Sequence, residues 1–192
     1  MPQLINVSEP EAAAAAAAAL RRPGAVVLVP TETVYGLVAR SSDREAAERI
    51  YELKHRSGSK RLGWFVGDWR ILRDFGVILD GLPEKLAARY CPGPLTLIAP
   101  TTSGDTIGFR IPDHPFLTEL LAMVGEPLYQ TSANRSGHPD ARDVADALAQ
   151  LDGDVDLAVD GGELPPGAAA STVVDATGAE PRILRQGALV IE

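Results

Sequence analysis

The amino-acid sequence predicts a single α/β domain, over residues 1–192, built on one sheet of mixed strand direction. The length is that of one hydrophobic core, and 45% apolar with 23% charged residues is the composition of an ordinary globular protein. Short apolar runs typical of strands alternate along the chain with segments of helical periodicity. Because the two kinds of segment intermix without a regular strand–helix–strand period, a mixed sheet is favoured over a doubly wound parallel one.

The first elements are predicted from capping residues and apolar runs. Ser8 and Glu11 have the spacing of a capping box, so the alanine run that follows is predicted to be a helix ending near Pro23. Residues 25–29, AVVLV, are a continuous apolar run and predict a strand that is buried on both faces. Asp43 is the predicted N-cap of a second helix that reaches about residue 55.

The remaining elements follow from the same patterns. Strands are predicted at residues 62–66, 95–99, 107–111, 128–131, 155–159, 171–175 and 182–184. Helices are predicted to begin near residues 68 and 83 and to cover residues 115–124 and 141–151.

Composition and motifs exclude several classes of protein. The single cysteine, Cys91, excludes an intrachain disulfide and favours a reducing, cytoplasmic location. No run approaches the roughly 18 apolar residues of a membrane span, so no membrane partner is expected. The sequence has no G-x-G-x-x-G, Walker A, H-E-x-x-H or G-x-S-x-G motif, and no protein-bound metal site is predicted. The net charge of −8 disfavours general attraction to nucleic acid, although a local basic cleft can still bind phosphate.

Two polar loops come directly after apolar strands, where open α/β sheets place ligands. The first has the sequence PTETVYGL, residues 30–37, and the second has QTSANRSG, residues 130–137. Both offer hydroxyl and amide groups that can hold carboxylate or phosphate oxygens. The alternative for each is a turn in which Ser, Thr and Asn bond their own backbone.

A third loop, KHRSGSKR at residues 54–61, carries four cations within eight residues. Cations at a helix C-terminus gain from the helix dipole, which is the structural explanation. Four of them also repel one another, so a polyanion such as a triphosphate is the functional explanation. We expect these cations to be exposed, and therefore to contribute little to stability.

Taken in order, these motifs resemble the L-threonylcarbamoyladenylate synthase family, the YrdC-like domain, in its short single-domain form. The resemblance is carried by P-T-E-T-V-Y-G-L, K-x-R, P-G-P-L-T, R-I-P-D-H-P, T-S-A-N-x-S-G, S-T-V-V-D and L-R-x-G. It implies a twisted, largely antiparallel sheet with helices around a concave basic cleft. It also implies condensation of L-threonine, bicarbonate or CO2, and ATP into threonylcarbamoyl-AMP and pyrophosphate. This product serves the N6-threonylcarbamoyladenosine modification of tRNA.

The resemblance also implies roles for individual residues. The implied threonine contacts are Thr33, Gln130, Ser132 and Ser171. The implied ATP contacts are Lys54, Arg56, Lys60, Thr106, Arg110, Asn134 and Arg185. The implied catalytic groups, which act by positioning and by neutralising charge, are Lys54, Arg56, Ser132 and Asn134.

The implied cofactor is Mg²⁺, bound with ATP. A downstream threonylcarbamoyl-transferase complex and tRNA are the implied partners. Four positions depart from the family pattern: Ser57 and Arg61 stand where prolines are frequent, Phe65 where the longer form often has His, and Asp140 where Ser or Thr is frequent. Two alternatives remain open at this point: a paralogue that makes another carbamoyl or acyl adenylate, and a module that binds structured RNA.

Overall fold

The computed structural model describes residues 2–58 and 61–191. The α-helices are α1 (Ala12–Leu20), α2 (Arg44–Leu53), α3 (Leu82–Tyr90), α4 (Pro115–Val124) and α5 (Val144–Gln150), and a 3₁₀ helix spans Trp69–Phe75. The strands are β1 (Gln3–Asn6), β2 (Val27–Val29), β3 (Gly36–Arg40), β4 (Gly63–Phe65), β5 (Leu95–Pro100), β6 (Thr106–Arg110), β7 (Leu128–Ser132), β8 (Leu157–Asp160), β9 (Thr172–Asp175) and β10 (Arg182–Arg185). The longest α-helices have ten residues, about half of a bilayer crossing, so the described residues contain no candidate membrane-spanning helix.

The ten strands found among the described residues form one sheet in the order β1-β8-β2-β3-β7-β4-β6-β5-β9-β10. The prediction of a mixed sheet flanked by helices is confirmed. Within the described residues, five of the nine strand pairings are antiparallel and four are parallel, so antiparallel pairing has only a slight majority.

Helices cover one face of the sheet between its exposed edge strands β1 and β10, and the other face over only about half of its width. On the first face, α2 and α5 pack on Leu28 and its neighbours, and α3 with the 3₁₀ helix packs on Leu97 and Phe109. On the second face, α1 and α4 pack on Val27 and Val29 of β2 and the strands next to it. Because successive strand residues point to opposite faces, β2 is buried on both, as its apolar run predicts.

The predicted N-cap of α2 is confirmed and that of α1 is wrong. An Asp43 carboxylate oxygen accepts from the Ala46 N–H at 3.0 Å, which caps α2. Helix α1 instead begins after Glu11, without a side-chain cap. The Ser8 hydroxyl is bonded to Asn6 Oδ1 at 2.6 Å, so the capping box does not form.

Two strands were not predicted. Strand β1 is an edge strand in which the exposed Leu4 and the buried Ile5 are the apolar residues, too few for a clear pattern. Strand β3 is central, but it begins at Gly36, inside the segment interpreted as a polar loop. Residues 141–143 were predicted to be helical, whereas α5 begins at Val144 with Asp143 as its N-cap.

Candidate functional site

A cleft of about 340 Å³ lies on the half of the second face that α1 and α4 leave uncovered. The register of the sheet explains its open floor. Gly63 of β4 is paired with Gln130 of β7, and the neighbouring pair Trp64 and Phe109 brings Gly63 beside Gly108 of β6. A Cβ atom on Gly63 would stand 2.7 Å from Gln130 Nε2 and 3.3 Å from the Gly108 oxygen. Two adjacent glycines therefore leave space in the floor that larger residues would fill.

The structure brings most of the predicted site residues to this cleft. The predicted residues that line it are Thr33, Arg56, Thr106, Arg110, Gln130, Ser132, Ser171 and Arg185. Lys54 and Asn134 lie beneath its wall, and Lys60 lies outside the described residues. Asp140, whose carboxylate would repel phosphate, lines a neighbouring pocket beside residues 164–168 instead.

Arg110 is buried in the cleft wall and binds a carboxylate that sequence analysis did not select. Its Nη2 lies 2.6 Å from Glu32 Oε1, and its Nη1 donates to the Thr33 hydroxyl at 3.0 Å. The guanidinium also lies over the Phe65 ring, 5.6 Å from its centroid. A buried arginine in a strand needs an anionic partner, because an unpaired charge is costly to bury. The structure identifies Glu32 as that partner.

The Thr33 hydroxyl belongs to a local network that fixes its position. Thr31 Oγ1 and Thr33 Oγ1 are 3.0 Å apart, and Thr31 Oγ1 donates to the Val34 carbonyl at 2.7 Å. The Thr31 hydroxyl also accepts from the backbone N–H of Thr33. The turn interpretation of this loop is therefore correct for Thr31, while Thr33 faces both the turn and the cleft.

Lys54 is not the exposed loop cation that its sequence position suggests. Only 1% of the residue is exposed, because the side chain turns from the end of α2 into the protein. Its Nζ donates to the backbone carbonyls of Ser132 and Asn134. Burial, reinforced by the charge of Arg56, lowers the pKa of Lys54 from 10.5 to about 8, while Asp140 acts in the opposite direction.

The turn after β7 is organised by Asn134. Its Nδ2 donates to the His138 carbonyl at 2.6 Å, and its Oδ1 accepts from the Ser132 hydroxyl at 2.5 Å. Asn134 is buried, whereas Ser132 reaches the cleft. Lys54 and Asn134 thus hold the backbone that presents the Ser132 hydroxyl.

The opposite wall is tied together by Arg185 and Ser171. Arg185 Nη2 donates to the Ser171 carbonyl at 2.8 Å and to its hydroxyl at 3.2 Å. The same hydroxyl lies 2.8 Å from Thr96 Oγ1, a cleft residue that sequence analysis did not select. Thr96 is the last residue of the P-G-P-L-T motif, but that motif was assigned no role in the site.

Four arginines line the cleft, and the described lining contains no Asp or Glu. Two of them already bind carboxylates: Arg61 lies 2.5 Å from Asp105, and Arg110 binds Glu32. Arg56 donates to the Arg61 carbonyl at 3.0 Å, and burial lowers its pKa. The count of arginines therefore does not by itself give the charge of the cleft, and its basic character stays a prediction.

Comparison with known proteins places this geometry in a family. The family model Sua5/YciO/YrdC, described as telomere recombination, matches residues 19–187. The chain belongs to this family. The resemblance identified from the sequence motifs is thereby confirmed.

One relative and two solved structures of the Sua5/YciO/YrdC family illustrate the similarity. A threonylcarbamoyl-AMP synthase of Pyrococcus abyssi is 36% identical over 180 residues, which are 89% of this chain and 53% of that protein. The crystal structure of P. abyssi Sua5 complexed with L-threonine has a TM-score of 0.80 at 32% identity and covers 97% of this chain and 57% of that one. The crystal structure of E. coli YciO has a TM-score of 0.85 at 26% identity and covers 97% and 96%. The chain thus spans a little more than half of the Pyrococcus protein and nearly all of YciO.

The site offers few groups for metal or covalent chemistry. In the part of the chain that the structure describes, no cluster of three or more His, Cys, Asp or Glu side chains has the arrangement of a metal site. Cys91 lies outside the lining of the cleft, and burial raises the pKa of its thiol to about 11, so the nucleophilic thiolate is scarce at neutral pH. What the cleft can supply is hydrogen bonding, charge and a fixed geometry.

Proposed function

We propose that the chain is an L-threonylcarbamoyladenylate synthase that condenses L-threonine, bicarbonate or CO2, and ATP into threonylcarbamoyl-AMP and pyrophosphate. One observation carries the proposal. A single cleft brings together the hydroxyls of Thr33, Ser132 and Ser171, which suit an amino acid, and the arginines Arg56 and Arg185, which suit phosphates. The name of the Pyrococcus relative and the threonine-bound structure of its family support it.

The proposed chemistry needs no protein nucleophile. The neutral amine of threonine attacks CO2, and an oxygen of the resulting carbamate attacks the α-phosphorus of ATP, from which pyrophosphate leaves. Thr33, Gln130 and Ser171 orient threonine, and Ser132 bonds the carbamate or the α-phosphate. Arg56, Lys60 and Arg185 neutralise charge on the phosphates, with Thr106 and Arg110 completing the wall. Catalysis is then positioning and electrostatic stabilisation.

Two residues, Lys54 and Asn134, take a different role in this proposal from the one that the resemblance implies. Lys54 and Asn134 act on the substrate through the backbone and hydroxyl of Ser132, because the Lys54 ammonium is buried against the Ser132 and Asn134 carbonyls. They are therefore positioning residues. Arg56 is the member of the K-x-R pair that lines the cleft.

Mg²⁺ enters the proposal as part of its substrate, MgATP. The described lining of the cleft has no carboxylate, so the oxygen ligands that Mg²⁺ prefers would come from the phosphates and from water. When bound, the ion supplies charge neutralisation between the phosphates. Delivery of the product to a tRNA-modifying transferase, a cytoplasmic location and single-domain organisation over residues 1–192 complete the proposal.

Pyrophosphate release from ATP, scanned across the amino acids with bicarbonate present, tests the proposal. L-threonine is expected to stimulate release more than any other amino acid, and omission of bicarbonate is expected to abolish the stimulation. Arg56→Ala is expected to weaken ATP use by about 1.5–3 kcal/mol, the value of a hydrogen bond to a charged group. The matched control is Arg44→Ala, which removes an arginine that is 93% exposed on α2 and lies outside the cleft.

Two results would favour the alternatives. ATP use that threonine does not stimulate would indicate a paralogue that makes another adenylate. Absence of ATP use together with RNA affinity that falls steeply with salt would indicate an RNA-binding module.

A further inference from the structure

A second, much smaller cavity adjoins the cleft. Its volume is about 20 Å³, and its walls include Thr33, Gly36, Phe65, Arg110 and Ser132. A cavity of about 10–15 Å³ already holds one water molecule. This cavity is therefore too small for a phosphate group or an amino acid, but its size suits a molecule of three heavy atoms.

The cavity has polar walls, and the one charged group among its described lining residues, Arg110, is paired with the carboxylate of Glu32. The Arg110 guanidinium in its wall is 5% exposed and lies 2.6 Å from the Glu32 carboxylate, so the arginine charge is already neutralised. Arg110 Nε is buried and has no hydrogen-bond partner among the residues that the structure describes. A desolvated anion would lack a free counter-charge here, which is costly, whereas a neutral molecule with acceptor oxygens avoids that cost.

We propose that this cavity is the CO2 subsite, which holds neutral CO2 beside the threonine amine. The inference rests on the proposed function. Arg110 offers N–H groups to the oxygens of CO2, among them the buried Nε that has no partner among the described residues, and Ser132 joins the cavity to the cleft. The amine lone pair forms the N–C bond, one C=O π pair moves onto oxygen, and the amine releases one proton to water. Carbamate is the product, and the reaction needs no further reactant.

The first test asks which form of dissolved carbon is the substrate. Initial rates of threonine-dependent pyrophosphate release are measured at low temperature, immediately after addition of either CO2 or bicarbonate, before the two equilibrate. CO2 is expected to support the full rate at once, and bicarbonate is expected to show a lag that carbonic anhydrase removes. An immediate full rate from bicarbonate without carbonic anhydrase would overturn the proposal.

The second test fills the cavity. A Cβ on Gly36 would stand 3.3 Å from the Thr131 oxygen and 3.8 Å from Thr31 Cγ2, two further residues of the cavity wall. Gly36→Ala is expected to raise the KM for CO2 by about tenfold, since one added carbon in a tight pocket is worth roughly 10–200-fold. The KM for threonine is expected to stay unchanged. Gly67→Ala is the matched control, because its Cβ makes an ordinary 3.7 Å contact with Leu121 and the glycine lies outside the cleft and cavity.

A second substitution that restores the KM for CO2 distinguishes a filled cavity from misfolding of Gly36→Ala. Thr31→Ser removes the Cγ2 methyl beside the new Cβ but keeps the hydroxyl that bonds Val34 and Thr33. Added to Gly36→Ala, Thr31→Ser is expected to restore the KM for CO2 to within about threefold of the parental value, because it returns one carbon of space.

The outcomes separate this proposal from the proposed function. A KM for threonine that rises alone, or together with that for CO2 by the same factor, would overturn the CO2 subsite. No change in either KM would mean that the cavity holds water only. Both results leave the synthase function intact. If the parental protein shows no threonine-dependent pyrophosphate release, the proposed function fails and the CO2 subsite fails with it.

Discussion

Lys54 illustrates how burial changes the role of a residue that the sequence presents as a loop cation. Its ammonium lies against two backbone carbonyls of the turn after β7, and burial with the charge of Arg56 lowers its pKa to about 8. Hydrogen bonding by Lys54 couples the end of α2 to the turn that carries Ser132. If Lys54 is a buried support for the site, replacing it should change the stability of the protein, whereas replacing an exposed cation that contacts substrate should not.

Replacing Lys54 is expected to change how stability depends on pH. Between about pH 8 and pH 10.5 the folded protein has released a proton that the unfolded chain still binds, so rising pH stabilises the folded state. The unfolding free energy of the parental protein minus that of Lys54→Met should therefore rise across this range and be flat between about pH 6 and 8. Denaturant unfolding at a series of pH values measures this difference. A difference that stays flat from pH 8 and falls only above about pH 10.5 would show that the surroundings stabilise the ammonium.

Replacing Ser132 distinguishes two roles for its hydroxyl, a contact with substrate and a hydrogen bond that only holds the turn. Its hydroxyl bonds Asn134 Oδ1 and faces the cleft. Ser132→Ala is expected to slow adenylate synthesis several-fold, by about 0.5–1.5 kcal/mol for a neutral hydrogen bond and up to about 3 for a charged partner. Thermal stability should change little. Synthesis at the parental rate, with a lowered melting temperature, would show that the hydroxyl serves the turn alone.

The residues of the site were predictable where a motif carried them. Thr33, Arg56, Ser132 and Arg185 stand in short motifs, and the structure brings all four to one cleft. Glu32 belongs to the P-T-E-T-V-Y-G-L motif, as Thr33 does. Its role could not be predicted, because its partner Arg110 is far from it in sequence and next to it in space. The exposure of Lys54 was mispredicted because a loop sequence does not show which way a long side chain turns.

At the scale of elements, α2 supports the site through both of its ends. Asp43 caps its start and also accepts from the Gly24 N–H at 2.8 Å, and Lys54 follows its last turn. Asp43→Ala is expected to lower the unfolding free energy by about 1–2 kcal/mol, the usual value of an N-cap. Denaturant unfolding measures this loss.

The control is Glu48→Ala, which removes an exposed partner of Arg44 on the same helix. Such a pair is worth about 0.3–0.5 kcal/mol. Equal effects of the two substitutions would contradict the assignment of Asp43 as the cap that organises α2.

Elements with a strong local pattern were predictable, and those that depend on their neighbours were not. Helix α4 coincides with its predicted range because it begins at a proline and ends before Gly125. Strand β3 begins at Gly36, which in isolation is typical of a turn, and it forms because β2 and β7 pair with it on both sides. The capping box at Ser8 failed because Asn6 binds the same hydroxyl.

At the scale of the whole molecule, the cleft results from an unequal distribution of helices. Two helices, α1 and α4, cover one half of a face, and the glycines of β4 and β6 keep the other half open. Sequence patterns predict a mixed sheet, but they do not give the order of ten strands or the register that places Gly63 beside Gly108. The position of the site therefore depends on strand order and register, which the local sequence patterns do not give.

The molecule as a whole carries a charge of −8, while the described lining of the cleft has four arginines, two of them paired with carboxylates, and no Asp or Glu. This distribution is expected to favour a small polyanion that enters the cleft over a long one that contacts the whole surface. It agrees with ATP as the substrate in the proposed function. It also limits the affinity expected for RNA in general.

The most direct test of the proposed function is the mass of the product formed from ATP, L-threonine and ¹³C-bicarbonate. We predict an AMP-linked product that appears only when threonine is present and that gains about one mass unit from the labelled carbon, because carbamate formation incorporates that carbon. Unlabelled bicarbonate and omission of threonine are the controls. An AMP-linked product of the same mass with and without threonine, or ATP consumption without any carbon incorporation, would contradict the assignment of this cleft as a threonylcarbamoyl-AMP synthase site.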